Sequence, residues 1–179
     1  EMGDRATKER REQDAASAYR AASGEWKLFS REFFDAPEFA LAHAAFMEGY
    51  ALHLAKDRNS AVRIYTEVLT LYPESPIAII QALYWRAEAH RQNGDSNKAL
   101  ADWQQIEEMQ ESTGHPLGLL TLRRLAGDAW ERTKWEEAAS RWEALVRGFP
   151  EGSRDVRAEA ARNLMMLRGA QARWRVLDS

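Results

Sequence analysis

One pattern recurs three times in this chain, and its spacing restricts the fold more than any other feature. The windows are GYALHLAKDRNSAVRIY (Gly49 to Tyr65), AEAHRQNGDSNKALADW (Ala87 to Trp103) and AGDAWERTKWEEAASRW (Ala126 to Trp142). Each opens on a small residue, carries a polar turn in its middle, and then sets an alanine and an aromatic four residues apart. They recur after 38 and then 39 residues, from Gly49 to Ala87 and from Ala87 to Ala126. In the second window an alanine-rich stretch breaks at Asn93-Gly94-Asp95 and resumes with the same character. A break of that kind joins two antiparallel helices through a short turn. Repeated at a near-constant step, it predicts an all-α array of helix pairs.

The shared positions have a packing reason. Gly49, Ala87 and Ala126 are expected where the first helix of each pair crosses its partner, because only a small side chain lets two helix axes approach to about 8–10 Å. Ala61, Ala99 and Ala138 do the same on the second helix. Tyr65, Trp103 and Trp142, one turn further along that face, fill the space beside them. Between the helices, Asp57 to Asn59, Gly94 to Ser96 and Thr133 supply turn and capping chemistry, with Thr133 and Glu136 spaced as a capping box. Pro73 and Pro150 follow their helices, and Ser75-Pro76 and His115-Pro116 place proline where a helix starts.

This combination of small residue, polar turn, alanine, aromatic and terminal proline resembles the tetratricopeptide repeat, a helix-turn-helix unit of about 34 residues. The matching residues are Gly49, Ala61, Tyr65 and Pro73, then Ala87, Gly94, Ala99 and Trp103, then Ala126, Trp135, Ala138, Trp142 and Pro150, over roughly Ala42 to Pro150. The resemblance implies a right-handed superhelical solenoid of antiparallel helix pairs. About four repeats are expected, at 10–41, 42–79, 80–118 and 119–156, with a C-terminal capping helix over 157–179. Residues 1–9 are expected to fray and 10–179 to form a single domain. The unit is a few residues longer than usual. That length, LYPESP (Leu71 to Pro76) and YWRAEAHRQNGD (Tyr84 to Asp95) are similar to the bacterial cell-envelope branch of the family, including members of the Tol-Pal system and of the outer-membrane barrel assembly machine. The likeness implies a periplasmic or envelope address, while cytosolic adaptors carry the same packing motifs.

The flanks continue the style. From Arg10 to Ala36 the chain has a small residue at Ser17, a glycine turn at Gly24 and aromatics at Trp26, Phe29 and Phe33, as in a degenerate first repeat. Phe29 stands where alanine is expected, so this pair is either splayed or fused into one longer helix. The tail from Arg154 to Leu177 follows a Gly-Ser signal and reads as one or two helices closing the stack, which otherwise leaves an apolar face in water.

Bulk properties then exclude function classes. The 179 residues, 45% hydrophobic and 30% charged, suffice for a substantial folded domain. A net charge of −3 argues against nucleic-acid binding. There is no cysteine, so disulfides, thiolate metal sites and thiol catalysis are absent. No apolar run approaches the roughly 20 residues of a membrane-spanning helix. The chain opens on EMGDRATKERREQ with no hydrophobic leader, so an export signal or anchor is expected either to have preceded residue 1 or not to exist.

A search for chemistry finds no catalytic group, no cofactor site and no metal site. The four histidines are dispersed and no H-E-x-x-H occurs. His90 sits at a packing position. Glu107-Glu108 and Glu136-Glu137 are adjacent on helices and point apart, unlike the facing carboxylates of a glycosidase. No glycine-rich phosphate loop and no G-x-S-x-G occur.

What remains is the surface that stacking creates. In arrays of the family, first helices line a concave groove, and the resemblance carries groove positions onto His43, Phe46, Tyr50, His53 and Leu54, then Gln81, Tyr84, Glu88, Arg91 and Gln92, then Leu120, Arg123, Gly127, Trp130 and Glu131. Aromatics and arginine suit a groove that docks a peptide or helix of a protein partner. Phe46, Tyr50 and Tyr84 equally fit packing between neighbouring first helices. The basic residues by which some family adaptors clamp a chaperone's terminal carboxylate are replaced by Asp14, Phe46 and Tyr50. The leading expectation is a non-catalytic protein-binding scaffold. Two alternatives stand beside it. One is a self-assembling structural protein pairing through end aromatics such as Trp26 or Trp174 as a homo-oligomer. The other is an RNA-binding helical repeat, resting on Arg123-Arg124 and Arg173 to Arg175.

Overall fold

The structure, a computed structural model, describes residues 2–109, 115–148 and 154–177, with side chains at 7–109, 115–148 and 154–169. Among these residues there are eight α-helices and no strand: α1 (Met2–Glu32), α2 (Glu38–Leu54), α3 (Arg58–Leu71), α4 (Pro76–Gln92), α5 (Ser96–Glu108), α6 (Pro116–Glu131), α7 (Trp135–Gly148) and α8 (Arg154–Leu177). The all-α array of helix pairs is what the recurring windows predict. Packing divides the chain inside α5 into two compact units, Glu1–Asp102 and Trp103–Ser179.

In the first unit each helix packs on the next from α1 to α4, and α2 also touches α4. Contact between first helices of successive pairs is the stacking that builds a helical solenoid. Its core joins Ala42, Phe46, Ala61, Tyr65, Val68, Ala78 and Ala82. In the second unit α6 packs on α7 and α7 on α8, around Leu119, Ala126, Ala138, Trp142, Leu145, Ala160 and Leu167. Ala61, Ala99 and Ala138 are fully buried, as close helix crossings require.

The three turns inside the repeats share one hydrogen-bond scheme. After α2, the Lys56 N–H donates to His53 O (3.0 Å) and the Asp57 N–H to Leu52 O (3.0 Å). After α4, Gly94 donates to Arg91 O (3.1 Å) and Asp95 to His90 O (2.9 Å). After α6, Thr133 donates to Trp130 O (3.0 Å) and Lys134 to Ala129 O (2.8 Å). Each is a Schellman cap, which needs a left-handed residue, and Lys56, Gly94 and Thr133 have φ of 64°, 86° and 59°. The next residue is also the start of the following helix: the carbonyls of Asp57, Asp95 and Lys134 accept from Ala61, Ala99 and Ala138. One residue therefore ends one helix and begins its antiparallel neighbour. The Asp57 carboxylate also accepts from the Ser60 N–H at 3.3 Å.

This corrects the capping box expected at Thr133. Thr133 closes α6, and Lys134 occupies the position from which α7 starts. A second correction concerns Gly24, expected at a turn. Helix α1 runs unbroken through it, so the first repeat begins with one long helix rather than a pair. Isolated glycine costs a helix only about 1 kcal/mol. Trp26, edge-on to His43 of α2 with ring centres 6.3 Å apart, anchors the region beyond it. Proline and its N-cap open α4 and α6 as expected, and the His115 Nδ1 accepts from the Leu117 N–H at 3.1 Å. Pro150 and the Gly152-Ser153 signal lie outside the described residues, as do the side chains of Arg173, Trp174 and Arg175.

Candidate functional site

The first-helix residues nominated from the sequence divide into two sets in the structure. Phe46, His53, Tyr84 and Glu88 are buried, between 4% and 8% exposed. Phe46 stacks on Tyr50 (5.9 Å) and Tyr65 (6.1 Å), so its ring belongs to the α2–α3 core. Tyr50 is half-buried against Trp85 at 4.8 Å, and His53 stands edge-on to the same indole at 5.2 Å. Tyr84 packs edge-on to Trp85. Trp85 is thus the hub of α2–α4 stacking, a residue that the sequence reading left out although its aromatic neighbours were named.

The polar members are engaged by neighbours. The Arg91 guanidinium holds the Glu88 carboxylate at 2.9 Å, and Arg58 donates to Gln92 Oε1 at 2.6 Å. Burial lowers the His53 pKa, the nearby Arg58 charge lowers it further, and Glu88 opposes both. In the second unit Arg123 pairs with Glu159 of α8 at 2.8 Å. Trp130 lies half-buried between Trp135 (5.0 Å) and Trp142 (5.4 Å), Leu120 packs on the core, and Glu131 is exposed. Arg91 and Arg123 are therefore charge-compensated.

His43 and Gln81 remain on the surface, and the structure brings them together. They face one cavity of about 290 Å3 between the N-terminal turns of α2 and α4, walled also by Phe39, Glu74, Ser75, Pro76, Ile77 and Ala78. Phe39 is 72% exposed and Ile77 61% exposed. Sequence reasoning missed both; their signal was an apolar residue just inside a helix start, beside Pro37 and Pro76. Glu38 Oε1 accepts from the Glu74 N–H (3.2 Å) and the Ser75 hydroxyl (3.4 Å) of two cavity-lining residues, tying the start of α2 to the α3–α4 turn. Leu54 is exposed at the far end of α2.

Among the described residues, no three metal-ligating side chains converge and no helix is long and apolar enough to cross a membrane. No curated protein and no solved structure matches the chain. The tetratricopeptide repeat family model matches residues 43–75 and 81–108. These segments cover most of α2–α3 and α4–α5, the pairs whose turn chemistry and close crossings are described above. In those two helix pairs the chain is similar to the tetratricopeptide repeat.

Proposed function

We propose that this chain is a non-catalytic adaptor that holds a peptide or short helix of a protein partner against α2 and α4. Tetratricopeptide repeats are in general protein–protein interaction modules. The observation that carries the reading is the cavity between the two first helices. Exposed Phe39 and Ile77 offer an apolar seat there, and the His43 imidazole and Gln81 amide offer hydrogen bonds beside it. A concave apolar site with few convergent polar groups is the usual form of a recognition pocket. A bacterial cell-envelope setting belongs to the proposal, supported by the 38- and 39-residue steps and the Leu71 to Pro76 phrase.

Peptides selected from a random library on the immobilised chain test the site. Hydrogen exchange should show protection in α2 and α4, and His43→Ala/Gln81→Ala should weaken binding about tenfold, the loss of one or two hydrogen bonds. Protection confined to α1 or α3, with binding unchanged in the variant, would move the surface elsewhere.

A further inference from the structure

We propose that the aromatic edge of the Glu1–Asp102 unit receives helix α8 of a second copy of this chain, in a head-to-tail contact. The inference rests on the cavity reading above and names its occupant. Two unlike patches carry it.

The first is the edge where α1 and α3 end and α2 and α4 begin. Phe34 in the α1–α2 link is 77% exposed, and Phe39 and Ile77 are exposed to a similar degree. Carboxylates rim these residues: Glu32, Asp35 and Glu38 in the α1–α2 segment and Glu74 before α4, against Arg31 alone in that stretch. Exposed aromatic area in one place marks an interaction surface more often than chance exposure.

The second patch is the outward stripe of α8. Arg154, Ala158, Arg162, Met165 and Met166 recur at helical spacing and are all exposed, Met165 at 73% and Met166 at 56%, while Ala160 and Leu167 on the opposite side enter the core. Arg154 and Arg162 give the stripe its positive charge, in a helix with six arginines against Asp155 and Glu159, of which Arg168 pairs with Glu143. Flexible thioethers fill irregular apolar seats, and guanidinium groups beside them match a carboxylate rim. The acidic aromatic edge and the basic methionine stripe are therefore complementary in both apolar character and charge. Like meets unlike, so the contact is heterologous, and a pair of chains keeps one free seat at one end and one free stripe at the other for further copies.

The test uses the full chain. Light scattering should show mass rising with concentration, and the rise should weaken at about 0.5 M salt as exposed charges are screened. Phe39→Ser/Ile77→Ser removes the seat, and Arg162→Glu/Met165→Ser/Met166→Ser removes the stripe. All five side chains are exposed, so both variants should melt as wild type does. Each variant alone should associate at least tenfold more weakly. Mixed, they should form a two-chain species, because one keeps the stripe and the other the seat. A monomer at every concentration overturns the proposal. So does association that either variant leaves intact, or a mixture that stays monomeric, which would mean a symmetric contact. A chain that stays monomeric yet binds anionic phospholipid vesicles through the α8 stripe overturns it in favour of a membrane surface. Selected peptides that protect α2 and α4 in a non-associating chain would sink this inference and leave the adaptor reading standing; self-association without such peptides would do the reverse.

Discussion

Gly49 of α2 lies directly against Tyr65 of α3: a side-chain carbon built on Gly49 would stand 2.8 Å from Tyr65 Cε1 and 3.2 Å from Ile64 Cγ2. Tyr65 is fully buried, so its ring has nowhere to move. Gly49→Ala should therefore lower stability by about 1–3 kcal/mol through overpacking, despite the gain in helix propensity. Gly127, also inside a helix, has open space where its side chain would be. Gly127→Ala should instead raise stability by up to about 1 kcal/mol. Urea denaturation of the two variants reads both signs, and a stabilised Gly49→Ala would mean that the crossing is not as close as described.

The Gly49 crossing was legible in the sequence because close packing leaves a small residue at a fixed step. The turns were legible in place and only partly in kind. Gly94 announces a left-handed residue, whereas Lys56 and Thr133 occupy the same conformation without any compositional sign, and Thr133 therefore resembled an N-cap. The candidate site was read least well. Groove positions transferred from a family assume a fixed helix rotation, and here that rotation turns Phe46 and Tyr84 inward and leaves Phe39 and Ile77 outside. Which of several aromatics on a helix faces solvent depends on contacts from other elements, such as Tyr65 and Trp85, that local periodicity does not contain.

The left-handed turns predict a stabilising change. Thr133 is β-branched at φ 59°, where an L side chain meets the following carbonyl at a cost of about 1–2 kcal/mol. Glycine removes that cost and adds back some entropy in the unfolded chain. Thr133→Gly should thus gain about 1 kcal/mol. Gly94→Thr should lose a similar amount, since its φ is 86°. Thermal melts that move in the opposite direction would contradict the shared Schellman geometry.

Arg86 predicts a large loss on single substitution. Its Nε and Nη2 grip the two Asp102 oxygens at 2.9 and 2.6 Å, joining α4 to α5, while Nη1 donates to the Thr66 hydroxyl of α3 at 3.1 Å. The side chains are 18% and 8% exposed. Asp102→Ala leaves a guanidinium largely desolvated and uncompensated, at about 3 kcal/mol. Arg86→Leu/Asp102→Leu should recover most of that, because both desolvation costs vanish together. A double-mutant cycle in urea measures the coupling, and additive single effects would show that the pair is solvated in solution.

His53 is one of two histidines whose burial makes the first unit sensitive to acid. Its ring is buried edge-on to Trp85, its Nδ1 has no hydrogen-bond partner among the described residues, and the charges facing it are Arg58 and Glu88. Burial, then Arg58, hold its pKa below the ordinary 6.5, so the folded chain keeps it neutral where the unfolded chain would bind a proton. Burial lowers His90 and His115 in the same direction. Their contribution is complete above about pH 6.5 and is lost as pH falls through the folded-state values, because protons then bind the unfolded chain preferentially. Stability should be level from about pH 8 to 7 and decline below about pH 6.5, before the carboxylates titrate. Each depressed histidine contributes at most about 1.4 kcal/mol per pH unit to that slope. His53→Phe keeps the aromatic contact with Trp85 and removes the proton site, so it should flatten the decline by up to one proton's worth. Urea midpoints at half-unit steps from pH 7.5 to 5.5 decide it: an unchanged slope in His53→Phe would mean that the imidazole reaches water and that α2 and α4 pack less tightly around Trp85 than the ring distances require.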